Sequence, residues 1–354
     1  MEQRIVARES GLAYRAVPTA ALRGRNPLVM LRNGATLAAG VVAAQALLHE
    51  LRPAAILGTG GYVCVPLFLA ARLLAIPTLV YLPDVVPGLA VRFLAQVATG
   101  VACSVEDSRP YLQHGLKGWT AGGWLSVEPV VTGYPVRAAL FQQDRLRCRA
   151  QFGLRDDRPV LLVYGGSRGA RSINRAIQSL LPRLLEIAQI VHVCGREGDE
   201  GWLRATADTL AEPLRARYWL FPYLESATTG QGQSMTAALG AADLAVCRSG
   251  ASTLGELPAL GLPAVLVPYP YVHQDENADY LVAHGAAVKV GNAAMVGDGD
   301  PSAGPLFQWI YRLLQSHPQE REEMARRSKA LARPEAAYRL AEALRNLTGR
   351  RRTK

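Results

Sequence analysis

Cys247-Arg248-Ser249-Gly250-Ala251-Ser252-Thr253-Leu254-Gly255-Glu256, entered from the apolar run Ala242-Asp243-Leu244-Ala245-Val246, is the most informative stretch of the chain. A short buried strand that opens into small residues and then a helix leaves unpaired backbone N–H groups at the helix start, aimed by the helix dipole at an anion. An ordinary strand-to-helix turn with Ser and Thr as N-caps reads the same way. Its neighbours decide between the two. A second strand, glycine turn and helix occupy 159–177, and a polar segment, 273–277, follows the strand-like 264–267. This alternation specifies parallel strands, right-handed crossovers and ligands at the C-terminal strand ends.

The same rhythm runs through the whole chain. In the first half, 34–51 reads as an Ala/Leu-rich helix, 54–57 as a strand ending at Gly58-Thr59-Gly60-Gly61, 66–74 as a helix and 78–82 as a strand. A charged helix is expected at 145–152. Strands then follow at 160–164, 190–194, 216–220, 244–247, 264–267 and 287–290. Helices at 318–331 and from Pro334 to about residue 347 close the chain. Two segments rich in small and polar residues, 226–234 and 291–305, read as inserted surface loops. The turn Val130-Val131-Thr132-Gly133-Tyr134-Pro135 precedes a change of domain. The expected division is a first domain over 1–137, a second over 138–333, and a terminal helix, 334–354, that packs back on the first domain.

At 354 residues and 49% hydrophobic content, the chain is large enough for two cores. No run approaches the roughly 18 to 20 uninterrupted apolar residues of a spanning helix, because Pro66, Arg72 and Pro77 break the most apolar stretch. The start, Met1-Glu2-Gln3-Arg4, lacks the apolar core of a signal peptide. Cys64, Cys103, Cys148, Cys194 and Cys247 show no paired spacing, which points to reduced core thiols and a cytosolic location. The formal charge of +10 suits a polyanionic partner. Without a zinc finger, a recognition-helix pattern or an aromatic-interleaved basic patch, an anionic membrane surface ranks above nucleic acid. Much of the excess sits in Arg326-Arg327, Lys329, Arg333 and 350–354, where a solvated helix face and a frayed tail also account for it.

Three motifs carry chemistry. In Val163-Tyr164-Gly165-Gly166-Ser167-Arg168-Gly169-Ala170 the glycines allow close backbone approach to a pyrophosphate, Ser167 caps the helix or donates to a phosphate, and Arg168 adds charge. The motif is neither a P-loop nor a full dinucleotide fingerprint. Glu256 is placed to accept both hydroxyls of a ribose or, more simply, to stabilise its own helix start. His273-Gln274 with Asn277 offers imidazole and amide groups to sugar hydroxyls, or is ordinary surface. No cluster of carboxylate or His ligands suggests a metal.

Taken together, these residues resemble the MurG family of UDP-N-acetylglucosamine:lipid I N-acetylglucosaminyltransferases, from residue 1 to at least Val290. The resemblance rests on Gly58-Thr59-Gly60-Gly61-Tyr62, Pro87-Gly88, Thr132-Gly133 with Pro135-Val136-Arg137, Gly165-Gly166-Ser167 with Gly169-Ala170, Cys247-Arg248-Ser249-Gly250-Ala251, Glu256, and His273-Gln274 with Asn277-Ala278. It implies an α/β GT-B glycosyltransferase, two Rossmann-like domains facing across a cleft, with no cofactor and no metal. Its donor substrate is UDP-GlcNAc and its acceptor is linked to a polyprenyl pyrophosphate. Carried over by position, Leu224 bonds uracil through its backbone and Arg137 reaches the nucleotide. Gly166, Ser167 and the backbone of Ala251, Ser252 and Thr253 hold the pyrophosphate, and Arg248 closes over it. Glu256 takes the ribose, while Gln274, with His273 and Asn277, takes the transferred sugar. Gly60, Gly61, Tyr62 and Asp84 fall on the acceptor side.

Two departures stand out. The family opens with a strand and Gly-Gly-Thr-Gly-Gly-His, which supplies a candidate base; Met1-Glu2-Gln3-Arg4-Ile5-Val6 instead resembles a point about one βαβ unit into the fold, as though the start had been placed too far downstream. The chain as written is accordingly expected to be weakly active, with apolar sheet edges exposed around Ile56 and Leu79. Tyr81-Leu82-Pro83-Asp84 also replaces the family's His-Glu-Gln-Asn, leaving Asp84 as a candidate base or a turn-stabilising residue. The activity implied is inverting transfer of GlcNAc to the muramyl 4-hydroxyl of lipid I, giving lipid II, at the cytoplasmic face of the bacterial plasma membrane. The alternatives are transfer to another lipid-linked acceptor, or a catalytically impaired nucleotide-sugar or lipid-binding homologue.

Overall fold

The computed structural model describes residues 6, 10–20, 27–113, 128–155, 157–225 and 232–349. The chain divides into two compact units, one formed by Met1–Leu82, Pro87–Val131 and Arg339–Lys354, the other by Pro83–Val86 and Thr132–Tyr338.

The first unit is built on a parallel sheet of β1 (Ile56–Gly58), β2 (Thr78–Leu82), β3 (Gly100–Cys103) and β4 (Val130–Val131), in that order. Every residue of β2 is buried, because its alternating side chains meet apolar layers on both faces. Val80 and Leu82 join Val101 and Cys103 under Ala44, Leu48, Phe68 and Leu94. Leu79 and Tyr81 pack with Ala102 against Leu340 and Leu347 of the last helix, Ala336–Gly349. Leu79 and Ile56 are both buried, contrary to the expectation of exposed apolar edges there: Leu79 sits on the inner strand β2, covered on both sides, and Ile56, on the edge strand β1, packs into the core beneath Ala44, Leu48 and Phe68.

The first long helix spans Pro27–Leu51, seven residues more at its start than its sequence pattern suggests. Its Val29–Leu51 portion, with a mean hydropathy of 1.3, is long and apolar enough to cross a membrane. It does so on average only: polar residues such as Arg32 and Asn33 interrupt it, so it is not an uninterrupted apolar run.

The second unit holds six parallel strands, β5 (Val160–Tyr164), β6 (Gln189–Val193), β7 (Tyr218–Phe221), β8 (Leu244–Cys247), β9 (Ala264–Leu266) and β10 (Ala287–Lys289), in the order β10-β9-β8-β5-β6-β7. Helix Arg171–Ile187 buries Ile173, Ile177, Leu180, Leu181 and Leu184, an apolar stripe at helical spacing, against β5 and β6. Asp243, itself buried, accepts from Arg149 at 2.6 Å and from the Val160 N–H at 2.7 Å and is paired with Arg145, which pins the start of β5 to the start of β8. Segment 291–305, read from sequence as a surface loop, contributes the buried Met295 to this core and folds tightly where Gly297 meets Gly304. Of segment 226–234, residues 226–231 lie outside the described residues, as does the basic tail 350–354.

Candidate functional site

From β5 the chain runs to β6 on one side, and from β8 to β9 on the other, so right-handed crossovers send the two following helices to opposite faces. The loops that leave these adjacent strands separate and open a crevice, the position where open α/β sheets bind ligands. The crevice encloses about 610 Å³ and brings together Gly166, Ser167, Arg248, Ser252, Thr253 and Gln274.

Backbone geometry shapes its β5 side. Gly169 has φ +87°, and a Cβ there would stand 2.1 Å from the carbonyl oxygen of Cys194. The loop is thus pressed onto the end of β6. Gly166 also has positive φ, +85°, but faces open space, leaving its backbone accessible to a ligand. On the β8 side, the Thr253 N–H and hydroxyl both donate to the Gly250 oxygen, at 2.9 and 2.7 Å, which closes the first turn of helix Thr253–Leu260.

Arg248 supplies the charge. Its Nη1 donates to the carbonyl oxygens of Val267 and Pro268 at 3.0 and 3.1 Å and to Asn292 Oδ1 at 2.8 Å. Its Nη2 donates to Ser172 Oγ at 2.8 Å, and the ring of Tyr269 lies 5.3 Å away. Burial lowers the affinity of this guanidinium for its proton, with the Tyr269 phenol acting weakly in the opposite direction. Gln274 Oε1 accepts the Tyr269 N–H at 3.0 Å, which turns the amide's NH₂ end away from that contact.

A second cavity of about 410 Å³ is lined by Tyr134, Arg137, Leu140 and Glu256. Burial raises the Glu256 carboxyl, against the opposing pull of the Ser252 hydroxyl and the Arg137 charge. A side chain at Gly255 would come within 2.8 Å of Tyr134 and Val136, so glycine there lets the 134–137 segment lie against the helix that carries Glu256.

Asn277 is fully buried and engaged within the protein. Its Oδ1 accepts the Val85 N–H at 2.9 Å, and its Nδ2 donates to Asp84 Oδ1 at 2.8 Å and to the Ser249 oxygen at 3.0 Å. The Asp84 carboxyl is raised chiefly by burial; the Asn277 hydrogen bond and the His273 charge oppose this, and Glu276 adds to it. His273 is exposed beside Glu276, and His273, Ala251 and the buried Leu224 line neither cavity. Gly60, Gly61 and Tyr62 lie in the first unit, where the two glycines take positive φ and Tyr62 is half exposed. Tyr81 is buried, its hydroxyl 2.6 Å from Ser104 Oγ. Among the described residues, no three His, Cys, Asp or Glu side chains converge to hold a metal.

Sequence reasoning missed Ser172, Asn292, Tyr269 and Tyr134. Asn292 follows the end of β10 and Tyr269 the end of β9, so the rule that ligands gather at C-terminal strand ends points to both; Ser172 carries no comparable signal.

Family descriptions match two parts of the chain: the glycosyltransferase family 28 N-terminal domain over residues 1–103 and its C-terminal domain over 160–340. A UDP-N-acetylglucosamine–N-acetylmuramyl-(pentapeptide) pyrophosphoryl-undecaprenol N-acetylglucosamine transferase of Roseiflexus sp. (strain RS-1) is 60% identical, over 100% of this chain and 83% of that protein. The protein of the same name from Chlorobaculum tepidum is 38% identical, over 94% of this chain and 84% of its own length. Among solved structures, Acinetobacter baumannii MurG aligns with a TM-score of 0.68 at 25% identity, covering 98% of this chain and 88% of that one. The UDP-GlcNAc 2-epimerase of Neisseria meningitidis, solved with UDP-GlcNAc bound, has a TM-score of 0.64 at 14% identity over 92% of this chain and 83% of that one, a likeness of fold alone.

Proposed function

We propose, on the premise that the chain belongs to the MurG family within glycosyltransferase family 28, that it transfers N-acetylglucosamine from UDP-GlcNAc to the N-acetylmuramyl group of a pentapeptide-bearing pyrophosphoryl-undecaprenol, a step of peptidoglycan synthesis. The observation that carries this reading is the crevice between β5 and β8, where two helix starts and the Arg248 guanidinium converge.

In this reading the pyrophosphate of the donor lies over Gly166, Ser167 and the backbone of Ala251, Ser252 and Thr253, and Arg248 balances the charge that grows on departing UDP. Glu256, with Arg137 beside it, takes the ribose hydroxyls, the Leu224 backbone meets uracil, and Gln274 and His273 hold the transferred sugar. The acceptor approaches over Gly60, Gly61 and Tyr62. Its 4-hydroxyl attacks the anomeric carbon opposite the pyrophosphate, so the bond to UDP breaks as the new glycosidic bond forms and the configuration inverts. The hydroxyl proton passes to a base. Asp84 is the candidate in this chain, and the upward push of burial on its carboxyl is the direction a base at neutral pH needs. Arg248 supplies the positive charge for the leaving group, so the donor binds without a divalent ion.

The protein works at the cytoplasmic face of the plasma membrane, held peripherally. The exposed Val29, Met30 and Leu31 at the start of helix Pro27–Leu51 support this, as does the net charge of +10. The test is an assay of UDP release and disaccharide formation with UDP-GlcNAc and a lipid I analogue, with Asp84→Asn alongside. Transfer establishes the reading. UDP-GlcNAc binding without transfer to this or any other lipid-linked acceptor would instead favour a nucleotide-sugar-binding role.

A further inference from the structure

We infer that Asn292 and Ser172 are positioning residues that keep Arg248 in the donor crevice as an unneutralised cation. The inference rests on the reading of that crevice as the donor pyrophosphate site.

The geometry is a closed triangle. Ser172 Oγ accepts from Arg248 Nη2 at 2.8 Å and donates to Asn292 Oδ1 at 2.7 Å, and the same Oδ1 accepts from Arg248 Nη1 at 2.8 Å. The carbonyl oxygens of Val267 and Pro268 complete the set. Each of these acceptors is neutral. Among the described residues no carboxylate pairs with Arg248, and Glu197, the carboxylate lining the crevice, is taken by Arg168. A half-buried arginine ordinarily recruits an acidic partner, because desolvating a guanidinium without one is costly. Here carbonyl and hydroxyl dipoles do that work. They fix the orientation of the fork and leave its full charge to whatever anion enters, a pre-organised arrangement that needs no rearrangement when charge develops.

The Arg248 contacts also join separate parts of the second unit: Ser172 lies in the first turn of the helix after β5, Arg248 follows β8, Val267 and Pro268 follow β9, and Asn292 follows β10. Arg248 is thereby fixed to the C-terminal ends of four strands.

Neutrality is the feature to test. Asn292→Asp is isosteric and keeps an acceptor on Arg248, but places a carboxylate where the amide oxygen stands, so the cation is quenched internally. Binding of UDP and of uridine, which lacks the phosphates, is measured by calorimetry for the wild type, Asn292→Asp and Ser172→Ala, with thermal unfolding to confirm that each is folded. Asn292→Asp should weaken UDP by at least about tenfold while leaving uridine unchanged, the signature of a lost charge rather than a lost shape. It should also flatten the salt dependence of UDP binding. Ser172→Ala frees one side of the fork, and kcat should fall more than KM for the donor rises, because the group acts most in the transition state. Wild-type UDP affinity retained in a folded Asn292→Asp variant would overturn the inference while leaving the donor site standing. A wild type that binds no UDP would overturn both.

Discussion

Asn277 Nδ2 lies 2.8 Å from Asp84 Oδ1, and through this bond and the 2.9 Å bond from the Val85 N–H to its Oδ1 one buried amide holds the 83–86 segment in the second unit. The same side chain bonds the Ser249 oxygen, and Ser249 Oγ in turn donates to the Gln274 oxygen at 2.7 Å. The loop after β8, the start of helix Asp275–Ala283 and the segment carrying Asp84 therefore share one polar junction.

Truncation of that junction has a large expected effect. Asn277→Ala removes three hydrogen bonds and leaves the buried Val85 N–H without its acceptor, a loss of roughly 2–4 kcal/mol in unfolding free energy. Urea melts measure it. A loss under about 1 kcal/mol would mean that the junction is not what holds the segment.

Asp84→Asn keeps an acceptor for Asn277 and removes the titration. Because burial raises the Asp84 carboxyl, the folded chain binds that proton more tightly than the unfolded chain. Its stabilising contribution is full below the unfolded value of about 4 and is lost as pH rises through the folded value. The variant should therefore gain stability relative to the wild type between pH 4 and pH 8, with little difference at the acid end. A gap that stays constant across this range would refute the assignment.

In the proposed reading the two cavities divide the donor between them. Glu256→Ala should weaken both UDP and UDP-GlcNAc by about 1.5–3 kcal/mol, the worth of hydrogen bonds to a charged acceptor. Gln274→Ala should reduce UDP-GlcNAc affinity while sparing UDP. Both titrations are run in excess chelator, where wild-type binding should persist because Arg248 carries the positive charge. Equal losses on both ligands in both variants, or binding abolished by chelation, would count against this division.

Much of the framework was legible because it obeys local rules. The strands β2, β5 and β8 and helix Arg145–Phe152 fall on the residues their apolar or charged runs indicate. β7, which starts two residues later and ends one later than its apparent run, is an edge strand with half-exposed side chains, so its pattern is weak. The glycine loop and the Arg248 turn, read from sequence as anion-binding, line one crevice, and their strand-to-helix pattern was legible for the same local reason. Asn292 and Ser172 were not, because 44 and 76 residues separate them from Arg248 and only the folding of β10, β9, β8 and β5 side by side in one sheet brings them to it. The role of Asn277 was hidden likewise, its partners Asp84 and Val85 being nearly two hundred residues away, with 193 between Asn277 and Asp84.

The glycine turn offers a contrast within one loop. Gly169→Ala places a methyl group against the Cys194 carbonyl at positive φ, so it should destabilise by more than about 3 kcal/mol and open the crevice floor. Gly166→Ala meets no neighbouring atom and carries only the conformational cost of about 1–2 kcal/mol. It should lower UDP affinity more than stability, since its Cβ projects into the ligand's space. Similar melting temperatures for the two variants would contradict this account.

In the proposed reading the first helix lies on a membrane rather than crossing it. Leu31 is 74% exposed, with Val29 and Met30 also exposed beside it and Arg32 next in line; Arg23 and Arg25 belong to the same basic stretch of sequence but lie outside the described residues. Exposed Phe93 follows Arg92, whose Nε donates to the Pro87 oxygen. Shallow insertion of such side chains combined with attraction to anionic lipid gives reversible, salt-sensitive binding. Co-sedimentation with vesicles should therefore favour anionic over neutral lipid at low salt and decline as salt rises. Leu31→Asp should weaken it roughly tenfold, equivalent to about 1.4 kcal/mol of apolar transfer. The 23 residues of Val29–Leu51 satisfy the length and hydropathy of a spanning helix, so alkaline extraction of natural membranes is the decisive complement. A peripheral protein is released by it. Retention in the membrane pellet, or equal binding to neutral and anionic vesicles, would overturn the peripheral reading.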